Sequence, residues 1–93
     1  MKDFYIEIFE HTYGNGRKEY KAQVGQKRKW WFDNHWYVWE YKKDHPILID
    51  MTLSSCYPYN SLEEAKAAAE KAIDWHIKKH LANKIIQVRK VYP

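Results

Sequence analysis

A chain of 93 residues, 45% of them hydrophobic, predicts one domain around one core, with no room for a second. Sixteen Lys and Arg against twelve Asp and Glu leave a net charge of +4, which favours anionic partners but is far from the charge density of a histone-like protein. One cysteine, Cys56, cannot form an internal disulfide; no apolar stretch reaches the roughly 20 residues of a membrane helix, and the acidic residues among the first ten are unlike a secretory leader, so a reducing cytoplasm is expected.

In chain order, Phe4, Ile6 and Ile8 alternate with Tyr5, Glu7 and Phe9, the period of a half-buried strand. Tyr13-Gly14-Asn15-Gly16 supplies residues that tolerate positive φ, and Tyr20, Ala22 and Val24 then alternate with Glu19, Lys21 and Gln23. These two strands are expected to pair as a hairpin. Gly25-Gln26-Lys27 reads as a bulge or bend, which leaves the strand count between Glu19 and Phe32 open. Asp33-Asn34 turns the chain between Arg28–Phe32 and His35–Tyr41, and Lys43-Asp44-His45-Pro46 breaks it again before Ile47, Ile49, Met51 and Leu53.

Ser61-Leu62-Glu63-Glu64 is a capping box, with a hydroxyl before the helix and a carboxylate three residues later. Six good helix formers follow, Ala65 to Glu70, and Lys78 and Lys79 complement the far end of the dipole. The helix is expected from Leu62 to about Leu81. Leu62, Ala65, Ala69, Ala72, Ile73 and Ile77 share one face, whose small alanines allow close approach to a sheet. Asn83 closes the helix, and Ile86 and Val88 alternate with Ile85, Gln87, Arg89 and Val91 as a short last strand or a trailing tail. The predicted fold is α+β over residues 1–93: an antiparallel meander of four to five strands (β-β-β-β-α-β or β-β-β-β-α) with one long helix packed across one face.

No catalytic, metal or cofactor site is expected. His76 and His80 share a helix face at the spacing of two metal ligands, but nothing completes the site, and both read as residues edging the core. Cys56 lacks a base placed by the sequence and reads as a half-buried, unreactive thiol. Glu63 and Glu64 serve the helix start, and Gly14-Asn15-Gly16 lacks the context of a phosphate loop and reads as a hairpin turn.

The residues with functional content are aromatic and basic, and they interleave. Trp30 precedes an eleven-residue run, Trp31 to Tyr41, that holds three Trp, two Tyr and a Phe. Side chains alternate along a strand, so these rings project from both faces of a sheet, and only one face can be core. Arg17, Lys18 and Lys21 flank Tyr20; Lys27, Arg28 and Lys29 precede Trp30; Lys42 and Lys43 follow Tyr41. Rings that stack bases and cations that neutralise phosphate are the mixture that holds single-stranded nucleic acid. The candidate rings are Trp30, Trp31, Trp36, Tyr37, Trp39 and Tyr41, and the candidate phosphate contacts are those eight basic residues. The competing expectation is that the rings fill a small core and the lysines form a solvated rim.

Tyr20-Lys21-Ala22-Gln23-Val24 and Ser61-Leu62-Glu63-Glu64-Ala65-Lys66-Ala67-Ala68-Ala69 loosely resemble the second half of a double-stranded RNA-binding domain. That family has an amino-terminal helix and a Lys-rich helix start, where this chain has Glu63 and Glu64, so the resemblance stops short of the RNA-contacting residues. Trp30-Trp31-Phe32 is similar to one aromatic motif of cold-shock barrels, whose second motif and glycine spacing are missing. In architecture the chain resembles small phage or mobile-element accessory proteins, among them inhibitors of defence nucleases. The expected function is non-catalytic binding, with nucleic acid or a nucleoprotein slightly ahead of a host protein held and inhibited through an aromatic interface. A homodimer across the open sheet face is a third reading.

Overall fold

The computed structural model describes residues 3–27, 34–50 and 52–92. Its elements are β1 (Phe4–Thr12), β2 (Lys18–Gln26), β3 (Asn34–Lys42), β4 (His45–Ile49), a 3-10 turn (Leu53–Ser55) and α1 (Leu62–Asn83). The strands form one antiparallel sheet in the order β1-β2-β3-β4, the meander expected from the alternation.

The β1–β2 turn closes as its residue types dictate. Gly16, at φ 86, donates its N–H to the Tyr13 carbonyl (2.9 Å), and the Asn15 side-chain oxygen accepts the Arg17 N–H (2.9 Å). No bend occurs at Gly25-Gln26-Lys27: β2 runs straight through Gly25, which pairs with Tyr5 on one side and His35 on the other. The glycine answers a different need, because the Tyr5 ring lies over it and a Cβ there would collide with that ring. β3 pairs with Gln23–Gln26 of β2; the Arg28–Phe32 segment and the Asp33 half of the expected turn lie outside the described residues. The later break is also shorter than expected. Asp44 makes it, at φ 58, while His45 and Pro46 already belong to β4, and Leu53 opens the 3-10 turn instead of extending the strand. Met51 lies outside the described residues.

β2 and β3 separate beyond Gln23 and Tyr37, and Cys56–Tyr59 enters the gap. Tyr20 and Tyr59 exchange two backbone hydrogen bonds of 2.8 Å, Tyr57 N–H donates to the Val38 carbonyl (3.0 Å), and the Cys56 thiol donates to the Ala22 carbonyl (3.6 Å). The wedge satisfies backbone groups that diverging strands would otherwise bury unpaired.

α1 lies across one face of the sheet. Ala65, Ala68, Ala69, Ala72 and Ile73 are buried, meeting Ala22, Val24, Val38 and Tyr59, with Phe4, Ile6, Ile8, Tyr20, Leu48 and Ile77 around them. Burying Ile73 alone is worth about 1.5–3 kcal/mol. Leu62, expected on this face, is instead half exposed, because it sits at the first turn beyond the sheet's cover. The cap forms with one change: Ser61 Oγ accepts from Glu64 N–H (3.1 Å), while Glu64 Oε2 accepts from Asn60 N–H (3.3 Å), one residue before the expected partner. At the other end Asn83 is the last helical residue, and Lys84 leaves it in extended conformation (φ −80, ψ 126). Of the two sequence expectations for 85–91, the trailing tail is the one formed, without strand pairing.

Candidate binding surface

Register decides which rings are available. Val24 pairs with Trp36 and Val38 with Leu48, so Trp36, Val38 and Glu40 face α1, while His35, Tyr37 and Trp39 take the opposite face. Trp36 is therefore removed from the expected binding set. Its ring lies 5.2 Å from that of His76 and 6.2 Å from that of Phe4, half-buried under the helix. Burial there pushes the His76 pKa down, and the positive neighbours His80 and Lys79 add to the effect. A register shift between Glu40 and Lys42 separates Tyr41 from the open-face rings as well. Tyr41 packs edge-on against His45 (5.8 Å), and His45 against Trp75 of α1 (5.2 Å). Trp30 and Trp31 lie outside the described residues.

Tyr37 and Trp39 are thus the expected rings that the open face brings together. Phe9, Ile47 and Ile49 share that face through their pairing partners, and the Tyr57 ring meets Trp39 in a T-shaped contact at 5.8 Å. Trp39 is 41% exposed and Tyr57 36%. The sequence reading missed Tyr57, Phe9, Ile47 and Ile49. The signal for Tyr57 was the Tyr-Pro-Tyr spacing after Cys56: Tyr59 joins the core, and the Tyr57 ring, 4.9 Å from that of Tyr59, stays part-exposed and reaches Trp39 as well.

The described members of the expected basic set do not gather in one place. Arg17 is ion-paired with Glu19, and Lys18 with Glu10 (3.5 Å). The Tyr13 hydroxyl, donating at 2.7 Å, together with Arg17 holds the Glu19 carboxyl below its ordinary pKa; the Tyr20 hydroxyl (2.8 Å) and Lys18 do the same for Glu10. Lys21 is only 9% exposed, and its ammonium donates to the Ser54 carbonyl (3.4 Å) where the 3-10 turn crosses the open face. Lys42 and Lys43 are exposed beside the β3–β4 turn. Lys27 is exposed too, but a meander puts it at the other end of the sheet, a nine-residue strand or ~30 Å away. Arg28 and Lys29 lie outside the described residues.

Remaining chemistry is sparse. Cys56 is buried, and burial pushes its thiol pKa up, the opposite of an activated nucleophile. Among the described residues no group of three His, Cys, Asp or Glu is placed to hold a metal ion, and no helix is long and apolar enough to cross a membrane. A cavity of about 480 Å³ lies between the β3–β4 hairpin, the 57–60 segment and α1, lined in part by Glu40, Tyr59, Glu64 and Lys71. Tyr59 is 7% exposed; burial, and then the neighbouring Glu40 carboxylate, push its pKa far up, so its hydroxyl stays protonated. Glu40 Oε2 and the Tyr59 hydroxyl are both buried and close enough to influence each other, yet neither makes a hydrogen bond of good geometry.

No protein-family model, curated protein or solved structure matches the chain.

Proposed function

We propose that the chain is a non-catalytic protein-binding domain that receives the apolar surface of a partner on its open sheet face. The observation that carries this reading is the Trp39–Tyr57 pair, two exposed rings locked in edge contact beside Ile47, Ile49 and Tyr37. Anchors of this type, large and held by a neighbour, lose little conformational freedom on binding and dominate interface energetics. Of the charges on this face, Lys21 lies beneath the 3-10 turn and Glu19 is held by Tyr13 and Arg17, and Glu7 stands exposed on the edge strand β1, away from Trp39. A small accessory protein that inhibits by covering another protein's surface, in a reducing cytoplasm where Cys56 stays a thiol, fits this chemistry.

The test is quantitative affinity capture with wild-type protein and the Trp39→Ala/Tyr57→Ala variant as paired baits. The reading expects a protein retained by the first and lost from the second. Equal recovery on both baits overturns it. Nucleic acid is the second reading, favoured by exposed Lys42 and Lys43 beside Tyr41, which is 69% exposed. It expects tryptophan quenching by single-stranded DNA or RNA, with affinity falling steeply between about 50 and 200 mM salt and weakened by Lys42→Ala/Lys43→Ala.

A further inference from the structure

The chain's excess positive charge is not on the sheet. After Asp74 the sequence holds five Lys and Arg (Lys78, Lys79, Lys84, Arg89, Lys90) and no Asp or Glu, whereas the residues before that point hold eleven Lys and Arg against twelve Asp and Glu. The last part of this basic stretch is also the most exposed apolar segment described. Ile85, Ile86, Val88, Val91 and Tyr92 are 76–90% exposed and lie outside the core. A 22-residue helix is about 33 Å long, yet the molecule extends 71 Å along its longest axis, because the segment continues away from the domain.

One surface of this same chain matches the segment. β1 is an edge strand, nine residues long without proline, and among the described residues no backbone hydrogen bond covers its outer side from Ile6 to Thr12. The opposite edge, β4, is five residues long and contains Pro46, the usual protection against strand addition. β1 carries exposed Glu7 and Glu10, with Asp3 just before it. Its alternation is Ile6 and Ile8 toward the helix and Glu7 toward the open face; that of the segment is Ile86 and Val88 on one side and Arg89 on the other. Laid beside β1, the segment extends the aliphatic row with Ile86 and Val88, and places Arg89 on the side of Glu7. Lys84 leaves α1 in extended rather than left-handed conformation, and residues 84–92 form no strand pair with their own sheet, which leaves them available to another molecule.

We propose that residues 84–92 form a fifth strand on the β1 edge of a second copy of this chain, each copy lending its segment to the other so that the exchange closes as a dimer. This goes beyond the open-face reading and uses neither Trp39 nor Tyr57.

Analytical ultracentrifugation of the full chain from about 1 to 300 µM, at low and high salt, tests it. The expected result is a monomer–dimer equilibrium that weakens with salt. Ile86→Asp/Val88→Asp, at exposed positions on which the fold does not depend, weakens it by about 100-fold or more. Glu7→Lys weakens it several-fold, and adding Arg89→Glu restores it. Hydrogen exchange at high concentration shows new protection in residues 84–92 and β1 together. A monomer throughout, a dimer indifferent to Ile86→Asp/Val88→Asp, or segment protection already present in the monomer overturns the proposal. Trp39→Ala/Tyr57→Ala leaves the dimer intact, so failure of this inference and of the open-face reading are separately visible.

Discussion

The two faces of the sheet are built from similar residues and end in different states. Under α1, Ala65, Ala68, Ala69 and Ala72 let the helix approach closely, so Ala22, Val24 and Val38 are sealed and Trp36 is wedged against His76. On the other face, among the described residues, the 3-10 turn and the start of the Cys56–Tyr59 wedge cross the strands; Lys21 is covered and Trp39 is left 41% exposed. Trp36 and Trp39 are three residues apart on one strand. What separates a core ring from a surface ring here is the side of the pleat, not hydrophobicity.

Core truncation is the strongest probe of this difference. Ile73→Ala should cost about 2–5 kcal/mol in urea denaturation, since a fully enclosed side chain leaves a cavity that the alanine-lined helix cannot collapse to fill. A cost near that of an open-face substitution would mean that α1 is only loosely seated. The next probe is Gly25→Ala, in the strand that both hairpins share. Its new Cβ meets the Tyr5 ring, so a loss of about 1–3 kcal/mol is expected, and Tyr5→Ala in the same chain should return part of it. An unchanged midpoint for Gly25→Ala would show that the Tyr5 ring moves aside freely.

How much of this was legible in the sequence follows from how local each cause is. The alternation in β1 and β2, the Tyr13–Gly16 turn and the Ser61 cap are set by residues within a few positions of one another, and each formed where it was read. The reason for Gly25 was not legible, because Tyr5 lies twenty residues away and meets it only across a strand pair. The wedge was hidden for the same reason: Cys56–Tyr59 is held by Ala22, Tyr20 and Val38, and its place depends on β2 and β3 parting. For the basic residues, residue type was a poor guide to availability. Glu10, Glu19 and the Ser54 carbonyl each claimed a cation that composition alone had assigned to phosphate.

Trp39→Ala comes next in size. The ring is part-exposed and packs edge-on against Tyr57, so the expected loss is about 1 kcal/mol of stability, well below that of Ile73→Ala, while partner capture falls sharply. A loss as large as that of the core variant would place Trp39 in the core and remove the distinction between the faces.

The smallest effect is a pH dependence that belongs to the covered face. His76 sits half-buried beneath Trp36, with its folded-state pKa below the ordinary 6.5. Between that depressed value and 6.5 the unfolded chain binds a proton that the folded chain rejects, so this residue makes stability fall as pH drops below about 6.5 and levels off once the folded pKa is passed. Glu10 and Glu19, held below 4.5, act in the same direction but at lower pH, which keeps the windows apart. His76→Phe keeps a ring against Trp36 and Phe4 and removes the titration. Chemical denaturation at about pH 7.5 and pH 5.5 should therefore show a smaller stability difference for the variant than for wild type. Equal differences would mean that water reaches His76 as readily as a surface histidine, and that the helix leaves this end of the sheet open.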